Sequence, residues 1–135
     1  MDQGFEEIEH TADWSLRVRG QDLEHLFRNA AFGMVGLMGI STEDGPEHSY
    51  SLDLEAEDPE SLLVAFLDEI LYRVEFTAAS VEDITFSSFS DHALRAVIAS
   101  LPVLGIEKAI KAVTFHMLEI LKAEQGFETV IVFDV

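Results

Sequence analysis

The sequence predicts a two-layer α+β domain in which two helices pack on a mainly antiparallel sheet. Three observations predict it. In two segments apolar residues recur every three and four positions, and each segment opens on an aspartate suited to cap a helix. Elsewhere about six or seven short runs alternate apolar with polar residues, the period of half-buried strands. Most connections between those runs are too short for the crossovers that a parallel sheet requires. With 135 residues and no internal repeat, low-complexity run or linker, a single domain over residues 1–135 is expected.

Taken in order, Phe5 to Glu9 reads as an edge strand. Trp14-Ser-Leu-Arg-Val-Arg-Gly20 alternates strictly, with Trp14, Leu16 and Val18 on one face. Asp22 is a plausible cap for a helix whose stripe is Leu23, Leu26, Phe27, Ala30, Ala31, Met34, Val35 and Met38, with Gly39 as its C-cap. Gly33 and Gly36 interrupt that stripe, at roughly a kcal/mol each. Either another element approaches closely there or the helix frays early. Ser41 to Pro46 is a turn cluster, followed by a strand over Tyr50 to Glu57. Asp58-Pro59-Glu60 starts a second helix through Leu62, Leu63, Phe66, Leu67, Ile70, Leu71 and Val74. Ile84 to Phe89 reads as a strand with an irregularity at its paired serines, and His92 to Leu101 as another, broken by Pro102. Lys111 to Leu121 alternates with Ala112, Thr114, His116, Leu118 and Ile120 on one side. A hairpin turn at Ala123 to Gly126 leads into a last strand, Phe127 to Val135.

Composition narrows the function. With 48% hydrophobic residues and ten phenylalanines the chain is not intrinsically disordered. It has no cysteine, so a metal would need carboxylate, imidazole or carbonyl ligands. No run reaches the roughly 18 apolar residues of a membrane span, and the acidic start Met-Asp-Gln-Gly-Phe-Glu-Glu is unlike a targeting segment. A cytoplasmic protein without membrane partners is expected. Acidic residues outnumber basic ones 26 to 8, a formal net charge of −18. Because phosphate backbones are bound through Lys and Arg, direct nucleic-acid binding is not expected. A basic protein partner or a divalent cation suits this surface better, unless the acidity serves solubility alone.

No phosphate loop, nucleophile elbow, His-Glu-x-x-His or cysteine nucleophile is present. Polar groups at strand ends stand out instead. His10 and Asp13 lie just ahead of the Trp14 strand, where an imidazole and a carboxylate could share a metal, or Asp13 could be a turn residue. Asp134 and the terminal carboxylate of Val135 end an apolar strand; with Asp13 they would make a hard oxygen site for Ca²⁺, Mg²⁺ or Mn²⁺. Ordinary solvated chain ends would look the same. His116 is either a satisfied core histidine or a ligand, and Lys111 by itself reads as a solvated strand end.

The set His10-Thr-Ala-Asp13, Leu23-Glu-His-Leu-Phe27 with Gly-x-x-x-Leu-Met38, Phe66-Leu-Asp-Glu-Ile-Leu-Tyr72, Lys111-Ala-Val-Thr-Phe-His116 and Val-Phe-Asp134-Val135 resembles the archease family over nearly the whole chain. The resemblance implies an SHS2-type α+β fold and a non-enzymatic role. That role is activation of the GTP- and manganese-dependent RNA ligase that joins 3′-phosphate or cyclic-phosphate ends in tRNA splicing and RNA repair, through guanylylation and multiple turnover. A chaperone role towards a tRNA methyltransferase is its second implication. It implies metal ligation by Asp13, Asp134 and the Val135 carboxylate, and a functional lysine at Lys111. Two departures stand out: Pro102-Val-Leu-Gly-Ile106 replaces a segment that commonly carries a basic residue and a histidine, and Phe115 replaces a tyrosine. Two rival functions remain at this stage. One is a stand-alone metal-dependent phosphoester hydrolase with His10 or His116 as base, which predicts a deep pocket at the carboxylates. The other is a chaperone or adaptor, which predicts exposed apolar surface and no dependence on metal.

Overall fold

The computed structural model describes residues 4–8, 14–115 and 118–135. Helix α1, Leu23–Met38, begins where an Asp22 oxygen accepts the His25 N–H at 2.8 Å, and ends at Gly39 in the left-handed region, φ 61°. Helix α2, Pro59–Phe76, is opened by Asp58, which accepts the Ser61 N–H at 2.7 Å, with Pro59 in its first turn. It closes through Ala78 at φ 53°, with the Thr77 and Ala79 N–H groups both donating to the Arg73 carbonyl. The hydrogen bonds to the two capping carboxyls hold both below the usual aspartate range.

The strands form three antiparallel sheets among the described residues. In the first, β1 (Phe5–Ile8) pairs with β2 (Trp14–Gly20), β2 with β10 (Gly126–Asp134), and β10 with both β8 (Ala112–Thr114) and β9 (Leu121–Ala123). The register runs from Phe127 opposite Gly20 to Phe133 opposite Trp14. Leu16, Val18, Ile131 and Phe133 are thereby buried on one face. On the other, Glu6 meets Arg17 at 3.1 Å and Arg19 at 3.6 Å, and Glu128 meets Arg19 at 3.5 Å. The second sheet is β3 (Ile40–Thr42) with β7 (Val103–Ile106). The third places β6 (Ala93–Ser100) between β4 (His48–Glu55) and β5 (Asp83–Phe89).

Helix α1 packs on β1, β2, β10 and β5, and α2 on β4 and β8. Their stripes meet the sheets in one continuous core. Phe27 and Phe66 are fully buried with ring centroids 5.8 Å apart, and Phe86 and Phe89 close the cluster edge-on. Arg28 ties α1 to β5 through Asp83 at 2.6 Å and the Ile84 carbonyl.

The expected α+β class is the observed one, with the sheet divided in three. Two local differences have physical reasons. Ile40–Thr42 and Val103–Ile106 pair with each other although both carry turn-like residues, Ser41 and Gly105. The run from Lys111 does not continue as one strand. Val113 turns to the core opposite Phe133. Further on, the Glu60 carboxylate accepts the Ile120 N–H at 3.0 Å and the Thr129 hydroxyl donates to the Glu119 carbonyl at 2.8 Å. Side chains thus take up backbone groups that a continuing ladder would have used. The irregularity at the paired serines is present, as a register shift between Phe86 and Ser88.

The two helical glycines separate cleanly. A Cβ on Gly33 would stand 2.5 Å from Leu16 Cδ2 and 2.9 Å from Phe5 Cγ, so this glycine lets β1 and β2 approach α1. At Gly36 a Cβ would meet nothing within 4 Å, and the helix does not fray. Gly33→Ala should therefore destabilise by about 1–3 kcal/mol as an overpacked core. Gly36→Ala should stabilise by about 1 kcal/mol, both read by urea denaturation. Phe66→Ala, a truncation at full burial, should cost about 3–5 kcal/mol in the same assay.

Candidate functional site

The β2–β10 register delivers the candidate groups to one end of the first sheet. With Phe133 opposite Trp14, the next residue, Asp134, reaches the start of β2, the strand that Asp13 precedes in the chain. Asp134 is also in register with Ala112 of β8, and its carbonyl accepts the Lys111 N–H at 2.7 Å. The Asp134 side chain is exposed and Val135 is 40% exposed. The Asp134 carboxylate therefore stands in solvent at the end of a strand whose last core residue, Phe133, is fully buried. Rigid backbone under exposed oxygen donors is suited to a hard cation.

Lys111 is exposed and follows fully buried Ile110, which pins the segment to the core. Just before it, Lys108 donates its backbone N–H to the Met38 carbonyl at 3.1 Å and lays its ammonium 4.7 Å from the centroid of the Trp14 ring. That contact is worth about 0.5–1 kcal/mol at an exposed site. Two of the three lysines of this acidic chain thus belong to the segment joined to the end of β10. Lys108 was not legible in the sequence. Its only signal is spacing, three residues before Lys111 in a chain poor in bases.

His10, Asp13 and His116 lie outside the described residues. Of the proposed metal set the structure thus places Asp134 and Val135, and it places Lys111 beside them. Among the described residues no three His, Cys, Asp or Glu side chains converge on one point. A cavity of about 580 Å³, lined by Arg19, Gly20, Gln125 and Glu128 among others, opens at the opposite end of the β2–β10 ladder, where Gly20 faces Phe127.

Two capped helices on antiparallel sheets define a class of small α+β domain that solved structures share. The solution structure of protein 1598 of Methanobacterium thermoautotrophicum matches with a TM-score of 0.69 at 28% identity, over 99% of this chain and all of that one. The crystal structure of an archease from Thermotoga maritima, described as a possible chaperone, gives 0.73 at 20% identity over 96% of each, a likeness of fold. A protein archease of Methanosarcina barkeri is 31% identical over 144 residues, covering 97% of this chain and 95% of that protein. The profile of the archease protein family matches residues 5–135. The chain belongs to the archease family. No helix among the described residues is long and apolar enough to cross a membrane.

Proposed function

We propose that this chain is a non-enzymatic protein cofactor that binds a divalent cation and activates a GTP- and manganese-dependent RNA ligase, the enzyme that seals 3′-phosphate ends in tRNA splicing and RNA repair. One observation supports the reading: the β2–β10 register, which ends with Phe133 opposite Trp14, so that Asp134 follows at the start of the strand that Asp13 precedes in sequence. The donor chemistry fits a hard cation, all oxygen and anionic, on an exposed strand end. Asp13, Asp134 and the α-carboxylate of Val135 would hold the ion. Clustered carboxylates repel one another, so a cation joining them is favoured. Bound there, the ion would supply positive charge at a surface otherwise strongly negative.

The chain's own residues have separate tasks in this reading. β10 holds the carboxylates through its pairing with β2 and β8. Lys111, exposed on that edge, contacts the partner. His10 and His116 belong to the same proposed partner surface. The net charge of −18 favours docking to a protein whose RNA channel is basic, and disfavours RNA itself. Chaperoning is the second reading, with a tRNA-modifying methyltransferase as its client; the apolar side chains exposed on this surface, Tyr72, Phe76 and Leu104 among them, favour it.

Ligase turnover measured with and without this protein, across a series of divalent ions, tests the reading. Multiple turnover is expected only with the protein present. Turnover indifferent to it would end the ligase reading and favour the second. Within the same assay Lys111→Ala should reduce activation while melting temperature stays the same, since the fold uses its backbone N–H and not its ammonium. Extension at the C-terminus turns the Val135 carboxylate into an uncharged carbonyl. It should weaken divalent-ion binding in calorimetric titration, whereas an N-terminal extension should change it little. Equal affinities would remove the Val135 carboxylate from the site.

A further inference from the structure

Helix α2 carries a feature that neither the core nor the strand-end site uses. Leu63, Phe66, Leu67, Ile70 and Val74 line its buried side. By the 3.6-residue period, Tyr72 and Phe76 lie on the side turned away. Tyr72 is 53% and Phe76 73% exposed, and the two rings stack on each other with centroids 5.1 Å apart. At the end of the helix the Val103 N–H donates to the Ala78 carbonyl at 2.8 Å, which brings β7 to this corner with Leu104 68% exposed. Large aromatic side chains left in water on the outer side of a helix cost solvation that glutamate or lysine would avoid.

The charge around the pair is one-sided. Helix α2 holds four acids, Glu60, Asp68, Glu69 and Glu75, and a single base, Arg73. Arg73 is already committed, its guanidinium lying 4.5 Å from the centroid of the Tyr50 ring. The other four arginines pair with acids: Arg17 and Arg19 with Glu6, Arg28 with Asp83, Arg95 with Asp53. Asp68, one turn before Tyr72, is exposed; desolvation pushes its carboxyl up, opposed by the hydrogen bond it accepts from the Val113 N–H.

We infer that the Tyr72–Phe76 ridge of α2, flanked by Asp68 and Glu75, is a docking surface for a protein partner presenting an apolar hollow rimmed by lysine or arginine. The two rings are held by their mutual stacking and by a helix anchored at both ends, so little freedom is lost on binding. Aromatic anchors with a charged rim are the usual energetic centre of such contacts. The inference rests on the protein-cofactor reading above and adds to it a second point of contact, on α2 rather than at the strand end.

The test uses the full-length chain and the RNA ligase, with three forms of the chain: unaltered, Tyr72→Ser/Phe76→Ser, and Tyr72→Phe. Binding is measured by calorimetry or surface plasmon resonance at low and high salt. The double variant should melt no lower than the unaltered chain, keep its divalent-ion affinity, and lose at least tenfold in affinity for the ligase. Tyr72→Phe should retain affinity, and association of the unaltered chain should slow as salt rises. Unchanged affinity in the double variant, with normal binding by the unaltered chain, overturns the docking surface and leaves the cofactor reading standing. No association by the unaltered chain overturns both. If sedimentation shows the unaltered chain dimeric and the double variant monomeric, the ridge joins two copies of this chain and the proposal fails.

Discussion

The pairing of β10 with β2 is the constraint on which the rest of this molecule depends. β10 sits inside the five-stranded sheet, with β2 on one side and β8 and β9 on the other. Its inward residues Ile131 and Phe133 complete the floor on which α1 lies, together with Leu16 and Val18 from β2. A slip of one residue would turn Phe133 out to solvent and Asp134 into the core. The register that satisfies the core is therefore also the one that sets Asp134 at the edge, exposed to solvent. Packing and site share a single determinant.

Much of this fold was legible because its signals are local. Asp22, Gly39 and Asp58-Pro59 act at the helix ends through hydrogen bonds to their immediate neighbours, so residue type alone reports them. Strict alternation over Trp14 to Gly20 gave β2 its bounds for the same reason. The β3–β7 pair was not legible, since strands of three and four residues leave no period to read, and their partner lies some sixty residues away. Lys111 to Leu121 alternates as a strand does, yet Glu60 and Thr129, distant in sequence, take over its backbone groups. Of the site, Asp134 and Lys111 belong to two different strand runs in the sequence, and only the pairing of β8 with β10 brings their backbones together. Tyr72 and Phe76 were hidden by the breadth of the apolar pattern on α2, within which an exposed ring reads like a buried one.

Charge is distributed as unevenly as apolar surface. Every arginine is engaged, either with a carboxylate or, for Arg73, with an aromatic ring. The large acidic excess consequently faces water largely unneutralised and gives the protein a long-ranged negative field, moderated by salt. Against it, two of the chain's three lysines, Lys108 and Lys111, lie in the segment joined by its backbone to the end of β10. A partner arriving by electrostatic attraction would meet contrast of sign at that edge, which fixes orientation better than uniform charge does.

The same central strand has a consequence for how the chain is made. β2 leaves the ribosome more than one hundred residues before the segment that pairs with it. At cellular synthesis rates that is an interval of about 5–20 s. Throughout it, β1, β2 and α1 can assemble, but one edge of β2 and the apolar side chains of Leu16 and Val18 lack the cover that β10 provides. Nascent chains of this protein are thus open to strand addition by neighbours for as long as translation lasts. A translational pause within the second half of the message would lengthen that exposure, with aggregation of unfinished chains as its cost.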